Sequence, residues 1–375
     1  MQSVKEKVYV WPFYSRIVHW LIVFSFLSSF FTAFFHNYFT IHITLGYIFG
    51  LTLVFRLIWG FIGPEYSLFK NFKFSLESLK DYFKEKITNR WRKIHPGHNA
   101  ASSWFTLIVL GLGIFIVLSG MMLYGIQGGS GLFASLNTAY FSFSIVMSTL
   151  HTTVSYLLLF WALIHIAGVL IEQFYHRTQM VFAMLTGYKN TIGHDSILTK
   201  AQAIFAVTSL LGITTLCYVL LHDDDNLLVK SIFERRDYSK ENSAFFQKCS
   251  KCHKNYPPFM LPEESWEKLM DGLDNHFGER ITENNITKSE QMDIKAYLIA
   301  NSAEHSTHKL AYKTRISLGE MRPLSITKAP YWRKAHSHLS PEIFKSPLVK
   351  DKSNCFVCHK NFEYGIFDNR LIHIP

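Results

Sequence analysis

Charged side chains are almost missing from five long stretches of this 375-residue sequence. The stretches lie at about 17–35, 41–63, 103–124, 142–171 and 201–221. Four of them contain no Asp, Glu, Lys or Arg, and the second contains only Arg56. Each can cross about 30 Å of hydrocarbon as a helix. The lack of charge excludes a wholly water-soluble protein and predicts five transmembrane helices, followed by a soluble region from His222 onward. No small-residue site for removal of a signal peptide follows the first stretch, so we expect this stretch to be retained as a transmembrane helix.

Lysine and arginine are also missing from two of the connections between these stretches. The first connection ("HNYFT") and the third ("GIQGGSGLFASLNTAYF") contain neither, whereas the N-terminal segment and the second and fourth connections are basic. Because basic loops stay in the cytoplasm, this pattern predicts a cytoplasmic N-terminus and an external C-terminal region. Through position 221 there are 15 Lys or Arg against 7 Asp or Glu, and afterwards 23 against 21. The net charge of +10 thus reflects topology and argues against a nucleic-acid partner.

Cysteine is scarce, with five residues in the chain. Cys217 lies in the fifth apolar stretch, where a small buried or lipid-facing residue is expected. The other four form Cys249-Ser-Lys-Cys252-His253 and Cys355-Phe-Val-Cys358-His359, which are two C-x-x-C-H motifs of the kind that attach haem c. Both thiols bond to the porphyrin, and the adjacent histidine binds the iron. A disulfide, a zinc knuckle and a redox dithiol are the alternatives. Two copies on the predicted outer side favour haem.

A second axial ligand for each haem c can come from several residues of the soluble region. These are His222, His276, His305, His308, His336, His338, His373, Met260, Met270, Met292 and Met321. The segment "LPEESWEKLMDGLDNHFG" predicts an amphipathic helix with Trp266 and Met270 on one face, and His276 falls at its end. The spacing of Thr287 and Glu290 predicts a capping box at the start of another helix.

Four histidines lie inside the apolar stretches: His19, His42, His151 and His165. His151 and His165 share one helix face about 21 Å apart. With the predicted topology, His19 and His165 lie at the cytoplasmic depth, and His42 and His151 lie at the outer depth. Since haem iron takes two axial ligands, these pairs predict two haem b groups with bis-histidine ligation. Hydrogen-bonded polar residues or a proton path are the alternatives.

Two arginines lie near the cytoplasmic ends of the first and second apolar stretches. Arg16 precedes His19 by about one helical turn, and Arg56 lies within the second stretch. Either could pair with propionates of the inner haem, and Arg56 could line a quinone pocket. The alternative is that both side chains extend to the lipid headgroups.

Several segments are similar to known families. "WPFYSRIVHW", "HITLGYIFGLTLVFRLIWGFIG", "LSGMMLYG" and the histidine pair of the fourth stretch resemble the bacterial cytochrome b561 family, over about 8–190. This family includes the b-subunits of nickel–iron hydrogenase and formate dehydrogenase. The resemblance implies a four-helix core with two haem b groups and exchange of electrons with the quinone pool.

The C-terminal region is similar to the dihaem cytochrome c family over about 244–375, through "CSKCHKNYPPFMLPEESWEKLMDGLDNHFGE", "ITKAPYWRKAHSHL" and "CFVCHKNFEYGIFDNRLIHIP". That resemblance implies bis-histidine haem c groups with His276 and His336 as the distal ligands, and His338 as an alternative to His336. Members of this family resemble electron donors to periplasmic haem proteins.

We therefore expect an all-α chain in the bacterial inner membrane. The predicted parts are a dihaem b domain at 1–200, a fifth transmembrane helix at 201–221, a linker at 222–243 and a mainly α periplasmic dihaem cytochrome c domain at 244–375. Two haem b and two haem c groups would carry electrons from membrane quinol to a periplasmic haem protein or another acceptor, as a quinol oxidoreductase or an electron-transfer protein. The alternatives are an anchor subunit that relays electrons for a larger periplasmic oxidoreductase, including flow towards quinone, and an enzyme that reacts with superoxide or peroxide. The sequence leaves a homo-oligomer open.

Overall fold

The structure is a computed structural model that describes residues 5–35, 38–88, 96–138, 142–282 and 284–375. Contacts divide the described chain into two compact units. The membrane unit comprises Met1–Met121 and Val146–Asn226, and the soluble unit comprises Met122–Ile145 and Leu227–Pro375.

The first half of the chain forms seven α-helices and two short strands among its described residues. In chain order these are β1 (Lys5–Tyr9), α1 (Phe13–Thr32), α2 (Phe39–Ile62), α3 (Leu76–Ile87), α4 (Ala100–Gly128), α5 (Phe143–Leu170), α6 (Met180–Thr186), β2 (Tyr188–Gly193) and α7 (Lys200–His222). Helix α5 continues through a π-helical turn at Ile171–Tyr175. By length and composition, α1, α2, α4, α5 with its π-turn, and α7 can each cross a membrane. This confirms the five predicted membrane helices.

Glycines bring α2 and α4 into close contact inside the membrane unit. A Cβ on Gly50 would lie 2.8 Å from Val117, and one on Gly113 would lie 2.6 Å from Leu53. Helix association in lipid depends on van der Waals packing, which small residues improve by letting the backbones approach. A larger residue at Gly50 or Gly113 would force the Val117 or Leu53 side chain to move.

Helix α7 packs against α2 through stacked aromatic rings. Phe205 lies 5.5 Å from Phe55 and 6.1 Å from Trp59, measured between ring centres. The α7 N-terminus is closed by a capping box between Thr199 and Gln202. The fifth helix thus adds to the side of α2.

The basic connections of the membrane unit meet at one end of it. Strands β1 and β2 pair in antiparallel fashion, so the N-terminal segment and the connection before α7 lie side by side. At the end of α5, the buried Glu172 carboxylate accepts a hydrogen bond from Tyr82 and pairs with Lys86 at 2.8 Å. A buried carboxylate needs such partners to remain charged. The two-stranded sheet is an addition to the predicted all-α fold.

The soluble unit contains short helices joined by turns. They are α8 (Tyr238–Glu241), α9 (Ser243–Cys249), α10 (Glu263–Asp271), α11 (Lys288–Ala300), α12 (Lys309–Leu318), α13 (Pro330–Ala335) and α14 (Pro341–Lys345). Trp266 and Met270 of α10 are buried, as the amphipathic pattern predicts, beside Ile294 and Leu298 of α11. The predicted capping box between Thr287 and Glu290 is present at the start of α11.

The third connection between membrane helices belongs to the soluble unit. The Gly131 amide donates to the Lys230 carbonyl at 2.9 Å, and the Ile232 amide donates to the Gly129 carbonyl at 2.8 Å. The buried Asn137 amide donates to the carbonyls of Ile126 at 2.8 Å and Thr307 at 3.2 Å. The connection without Lys or Arg and the C-terminal region therefore form one folded body.

Candidate functional site

His42 of α2 and His151 of α5 face each other within the membrane unit. Their ring centres are 6.5 Å apart. A metal–imidazole bond is about 2 Å long and the ring centre lies about 1 Å behind the bonding nitrogen, so two imidazoles on opposite sides of one metal place their ring centres about 6 Å apart. The observed separation fits two axial ligands of one iron.

Hydrogen bonds orient both of these imidazoles. The Nδ1 atom of His42 lies 2.8 Å from the Ser29 carbonyl, and the Nδ1 atom of His151 lies 3.1 Å from the Ile116 carbonyl. Because a carbonyl oxygen only accepts, each Nδ1 carries the proton and each Nε2 lone pair is left for a metal. Ser119 adds a contact to His151 at 3.0 Å.

Two glycines lie beside this pair. A Cβ on Gly120 would lie 3.0 Å from Cε1 of His151, so α4 approaches the imidazole closely only because this residue is glycine. Gly46 lies one helical turn after His42, and no heavy atom lies within 4 Å of where its Cβ would be. The space beside Gly46, one turn from His42 on α2, is therefore open.

His19 of α1 and His165 of α5 are the second pair of histidines in the membrane unit. His165 and Arg56 both lie close enough to His19 to interact with it electrostatically. The His165 ring stacks on Phe105 with the ring centres 4.2 Å apart. Helices α1 and α5 thus bring the two sequence-predicted histidines towards each other, with the Arg56 cation nearby.

The two arginines differ in their surroundings. The Arg56 guanidinium lies over the rings of Phe69 at 5.1 Å and Phe72 at 5.7 Å, and it donates to the Ser67 carbonyl at 3.4 Å. Arg16 donates to the Leu185 carbonyl, and its buried Nε has no hydrogen-bond partner among the described residues. Of the two, Arg56 is the one that interacts with His19.

Sequence reasoning missed His98, which lies just before α4. Its Nδ1 is 3.1 Å from the Tyr66 carbonyl, and its ring lies 4.3 Å from Phe72. Burial, together with the Arg56 charge, lowers the pKa of His98 to about 3, so the ring is neutral. No periodicity marks this residue, because it follows a polar connection and precedes the apolar stretch.

The first C-x-x-C-H motif lies at the end of α9. His253 and His276 have nearly parallel rings with centres 6.4 Å apart, again the spacing for two ligands of one iron. The Nδ1 of His253 donates to the Lys254 carbonyl at 2.8 Å. His276 opens a tight turn in which Phe277 and Gly278 have positive φ and the Glu279 carbonyl accepts from the His276 amide at 2.7 Å. This turn fixes the backbone of His276.

The second C-x-x-C-H motif pairs with the end of α13. His336 and His359 have ring centres 6.1 Å apart. His336 stacks on Trp332 at 4.2 Å, and its Nδ1 donates to the Trp332 carbonyl at 2.8 Å. Burial, and secondarily His336, lowers the pKa of His359 to about 4, which keeps the imidazole neutral and able to bind metal. His338, the alternative, is exposed.

The four motif cysteines and Cys217 are free thiols. Burial raises the pKa of Cys249 and of Cys355 to about 12, which keeps both free thiols protonated. Across the described parts of the chain, no cluster of three or more His, Cys, Asp or Glu side chains is arranged to hold a metal ion.

The remaining candidate ligands differ in their burial. His308 is held between Phe233 and Phe259, at 3.7 and 4.0 Å between ring centres, and burial lowers its pKa to about 3. Met260 and Met270 are core residues. The exposed candidates are His222, His305, His373, Met292 and Met321.

Aromatic side chains connect the two motif sites of the soluble unit. Tyr256 lies 5.3 Å from His253 and 5.5 Å from Phe362, between ring centres. Phe367 lies 5.6 Å from Phe362 and 5.7 Å from His359. The two sites therefore share one core.

Comparison with known proteins identifies both regions. Residues 10–187 match the family model described as prokaryotic cytochrome b561, and residues 245–367 match the one described as dihaem cytochrome c. A solved dihaem cytochrome c from Rhodobacter sphaeroides is 33% identical over 34% of this chain and 96% of its own, with a TM-score of 0.30. The C-terminal region belongs to the dihaem cytochrome c family.

A dihaem cytochrome c from Shewanella baltica is 25% identical over 36% of this chain and 94% of its own, with a TM-score of 0.29. None of the curated proteins compared with the chain matches it. Together the cytochrome b561 region and the dihaem cytochrome c region make this chain a transmembrane electron-transfer haem protein. They imply haem b and haem c as its cofactors.

Proposed function

We propose that this protein oxidises quinol in the bacterial inner membrane and passes the electrons, one at a time, to a periplasmic acceptor. The observation that carries the proposal is the repeated pairing of imidazoles. Three pairs have ring centres 6.1 to 6.5 Å apart, one in the membrane unit and two in the soluble unit. A fourth, His19 with His165, is supported by the electrostatic interaction of its members.

The histidine pairs would each hold one haem. His42 with His151 and His19 with His165 would bind two haem b groups, while His253 with His276 and His336 with His359 would ligate two haem c groups. Cys249, Cys252, Cys355 and Cys358 would supply the thioether bonds of the haem c groups. Bound haem supplies a metal that gains and loses single electrons without proton transfer.

Ligation by two histidines leaves no open position at the metal, which favours electron transfer over chemistry on a bound substrate. Nδ1 hydrogen bonds to backbone carbonyls fix four of the eight rings: His42, His151, His253 and His336. Fixed ligands reduce the structural change that accompanies a change of charge at the metal. The chain would thus hold each electron-carrying haem between ligands of fixed orientation.

The fold supports an orientation in which electrons leave on the periplasmic side. The N-terminal strand and the strand before α7 pair, at the end of the membrane unit with the basic connections. The third connection, which contains no Lys or Arg, folds with the soluble unit. We propose that this basic end of the membrane unit faces the cytoplasm. Arg56, which interacts with His19, would pair with propionates of the inner haem or line a quinone pocket, whereas Arg16 is bound to Leu185.

A direct test is anaerobic reduction of the full-length protein in nanodiscs by a benzoquinol or a naphthoquinol. The absorption spectrum should show haem c passing to its reduced state within one turnover. In the His151→Ala variant quinol should no longer reduce haem c, whereas dithionite still should. A wild-type protein that dithionite reduces fully but neither quinol reduces would overturn quinol oxidation. Quinol oxidation that appears only after a periplasmic dehydrogenase or reductase is added would favour the anchor-subunit function, and high-spin iron in the reduced spectrum would favour peroxide chemistry.

A further inference from the structure

Positive charge in the soluble unit is concentrated at the two C-x-x-C-H motifs. Segments 248–254 and 350–360 together contain six lysines and one acidic residue, Asp351. The rest of the chain from His222 onward has 17 basic residues against 20 acidic ones. The motif segments are therefore basic on an otherwise slightly acidic domain.

These two segments lie side by side. The Tyr256 hydroxyl donates to the Ser353 carbonyl at 2.8 Å. The Lys254 ammonium, which directly follows His253, lies 5.9 Å from the ring centre of Phe356, the residue after Cys355. Lys254 of the first segment therefore reaches the second segment.

The surface of these two segments is open to solvent. Lys251, Lys254, Lys350 and Lys352 are exposed, and the Phe356 ring that Lys254 contacts is 40% exposed. We call these five residues the basic face. Asp351 lies between Lys350 and Lys352 in the sequence and accepts hydrogen bonds from the amide and hydroxyl of Ser353, so one negative charge stands against the four lysines.

The first motif opens onto the basic face. Cys252 and His253 are both exposed, whereas Cys355, Cys358 and His359 are partly buried. Lys248 is already engaged, because it pairs with Glu290 at 2.9 Å. An exposed motif site with several exposed ammonium groups and an exposed aromatic residue has the features of a transient protein interface.

We propose that the basic face is the docking surface for a soluble redox protein with an acidic surface, which accepts electrons from the first motif site. This partner assignment rests on the proposed electron-transfer function. Each encounter moves one electron from the reduced protein to the oxidised partner, with no bond made or broken. Opposite charges speed the encounter, and the small apolar contact at Phe356 lets the partner leave.

The composition of the face favours a protein over a lipid surface. Residues 250–257 and 346–361 form turns and a single 3₁₀ turn at Cys355–Val357, with no α-helix. Lipid-binding surfaces commonly use an amphipathic helix that inserts several apolar side chains. Segments 250–257 and 346–361 expose the large apolar side chains of Phe356 and Leu348, and no helix presents them on one face.

The first experiment measures the charge of the surface with small redox ions. The full-length protein in nanodiscs is reduced by dithionite, and its oxidation by hexacyanoferrate(III) or by a tris-phenanthroline cobalt(III) cation is followed by stopped flow. Lys251→Glu, Lys254→Glu and Lys352→Glu together should slow the anionic oxidant by roughly tenfold at low salt and speed the cationic one. Because dithionite supplies the electrons, the result is independent of quinol oxidation.

The control is a triple variant of equal charge change outside the two motif segments: Lys240→Glu, Arg315→Glu and Lys328→Glu. It should change either rate by less than about twofold. Equal effects of the two triple variants would overturn the proposal, since net charge alone would then explain the rates. A Lys→Gln version of the first triple variant should give a smaller change of the same sign.

The second experiment identifies the class of partner without electron transfer. Acetylation of Lys251, Lys254 and Lys352 by acetic anhydride is measured by mass spectrometry with and without an acidic blue-copper protein as the probe. The probe should protect these lysines severalfold, and Lys240 should be unaffected. Nanodiscs of phosphatidylcholine alone and of phosphatidylcholine with phosphatidylglycerol should give equal labelling. Protection by the anionic lipid instead, or no protection by the acidic protein, would overturn the proposal.

Discussion

The membrane unit and the soluble unit bring imidazoles to the same separation by different means. His42 and His151 are 109 positions apart in the sequence, and their ring centres are 6.5 Å apart. His253 and His276 are 23 positions apart, as are His336 and His359, with ring centres at 6.4 and 6.1 Å. The membrane pair depends on helices packing against each other, and the soluble pairs depend on local turns.

This difference predicts different consequences when a ligand is lost. In the membrane unit nothing but the two imidazoles and the surrounding helices would hold a haem. In the soluble unit two thioether bonds would hold it even without the distal histidine. The comparison can therefore be tested by removing one ligand from each unit.

The largest effect is expected for His151→Ala. Loss of this ligand should remove one haem b, because no covalent bond retains it, while both haem c groups stay attached. Pyridine haemochrome quantitation should change from equal amounts of b and c to about half as much b as c. Retention of both haem b groups in the variant would show that His151 is not an axial ligand.

A smaller effect is expected for His276→Ala, the matched removal in the soluble unit. The haem c content should be unchanged, but one haem should become five-coordinate and high-spin because its distal ligand is gone. Electron paramagnetic resonance of the oxidised protein measures this change. His338→Ala is the control and should remain low-spin. A high-spin signal from His338→Ala, with none from His336→Ala, would reverse the assignment at the second motif.

A still smaller effect is expected when the membrane pair is perturbed without the removal of a ligand. In Gly120→Ala the new methyl group would lie 3.0 Å from Cε1 of His151, so the ring must shift. Overpacking of this kind costs about 1–3 kcal/mol, which should broaden or shift the absorption of one haem b and lower its occupancy. Gly111→Ala on the same helix is the control, since nothing lies within 4 Å of its Cβ position. Identical spectra for both variants would contradict the close approach of α4 to His151.

The same contrast explains what could be predicted from the sequence. The five membrane helices and the pairing of His42 with His151 by depth follow from helix period and loop charge, which are local signals. The proposal of His276 beside His253 came from a family resemblance, and the structure adds the turn that positions it. The b561 and dihaem cytochrome c family matches confirm the two-part interpretation of the chain.

Other features required the packed structure. The hydrogen bonds from His42 to the Ser29 carbonyl and from His151 to the Ile116 carbonyl join separate helices, so no spacing in the sequence indicates them. The buried His98 and the folding of the third connection with the soluble unit are of the same kind. The assignment of individual histidines as ligands stays a prediction that the variants above test.

The smallest expected effect concerns stability of the soluble unit, at the capping box of α11. The Thr287 amide donates to the Glu290 carboxylate at 2.9 Å, and Lys248 pairs with it at 2.9 Å. Led by the Thr287 hydrogen bond, these contacts lower the pKa of Glu290 from 4.5 to about 2. A carboxyl with a depressed pKa in the folded state stabilises it above pH 4.5, and this contribution is lost as the pH falls towards 2.

Glu290→Gln keeps a side chain that can complete the capping box but removes the titrating group and its ion pair with Lys248. The variant should therefore unfold at a slightly lower denaturant concentration at pH 6, and its stability should fall less steeply than that of the wild type between pH 4.5 and 3. Denaturant unfolding followed by far-ultraviolet circular dichroism measures both. Glu234→Gln, at an exposed glutamate outside the helix, should follow the wild-type curve. A steeper pH dependence of stability in Glu290→Gln than in the wild type would contradict this prediction. It would mean that protonation of Glu290 stabilises the fold around Lys248, which is the opposite of what a lowered carboxyl pKa requires.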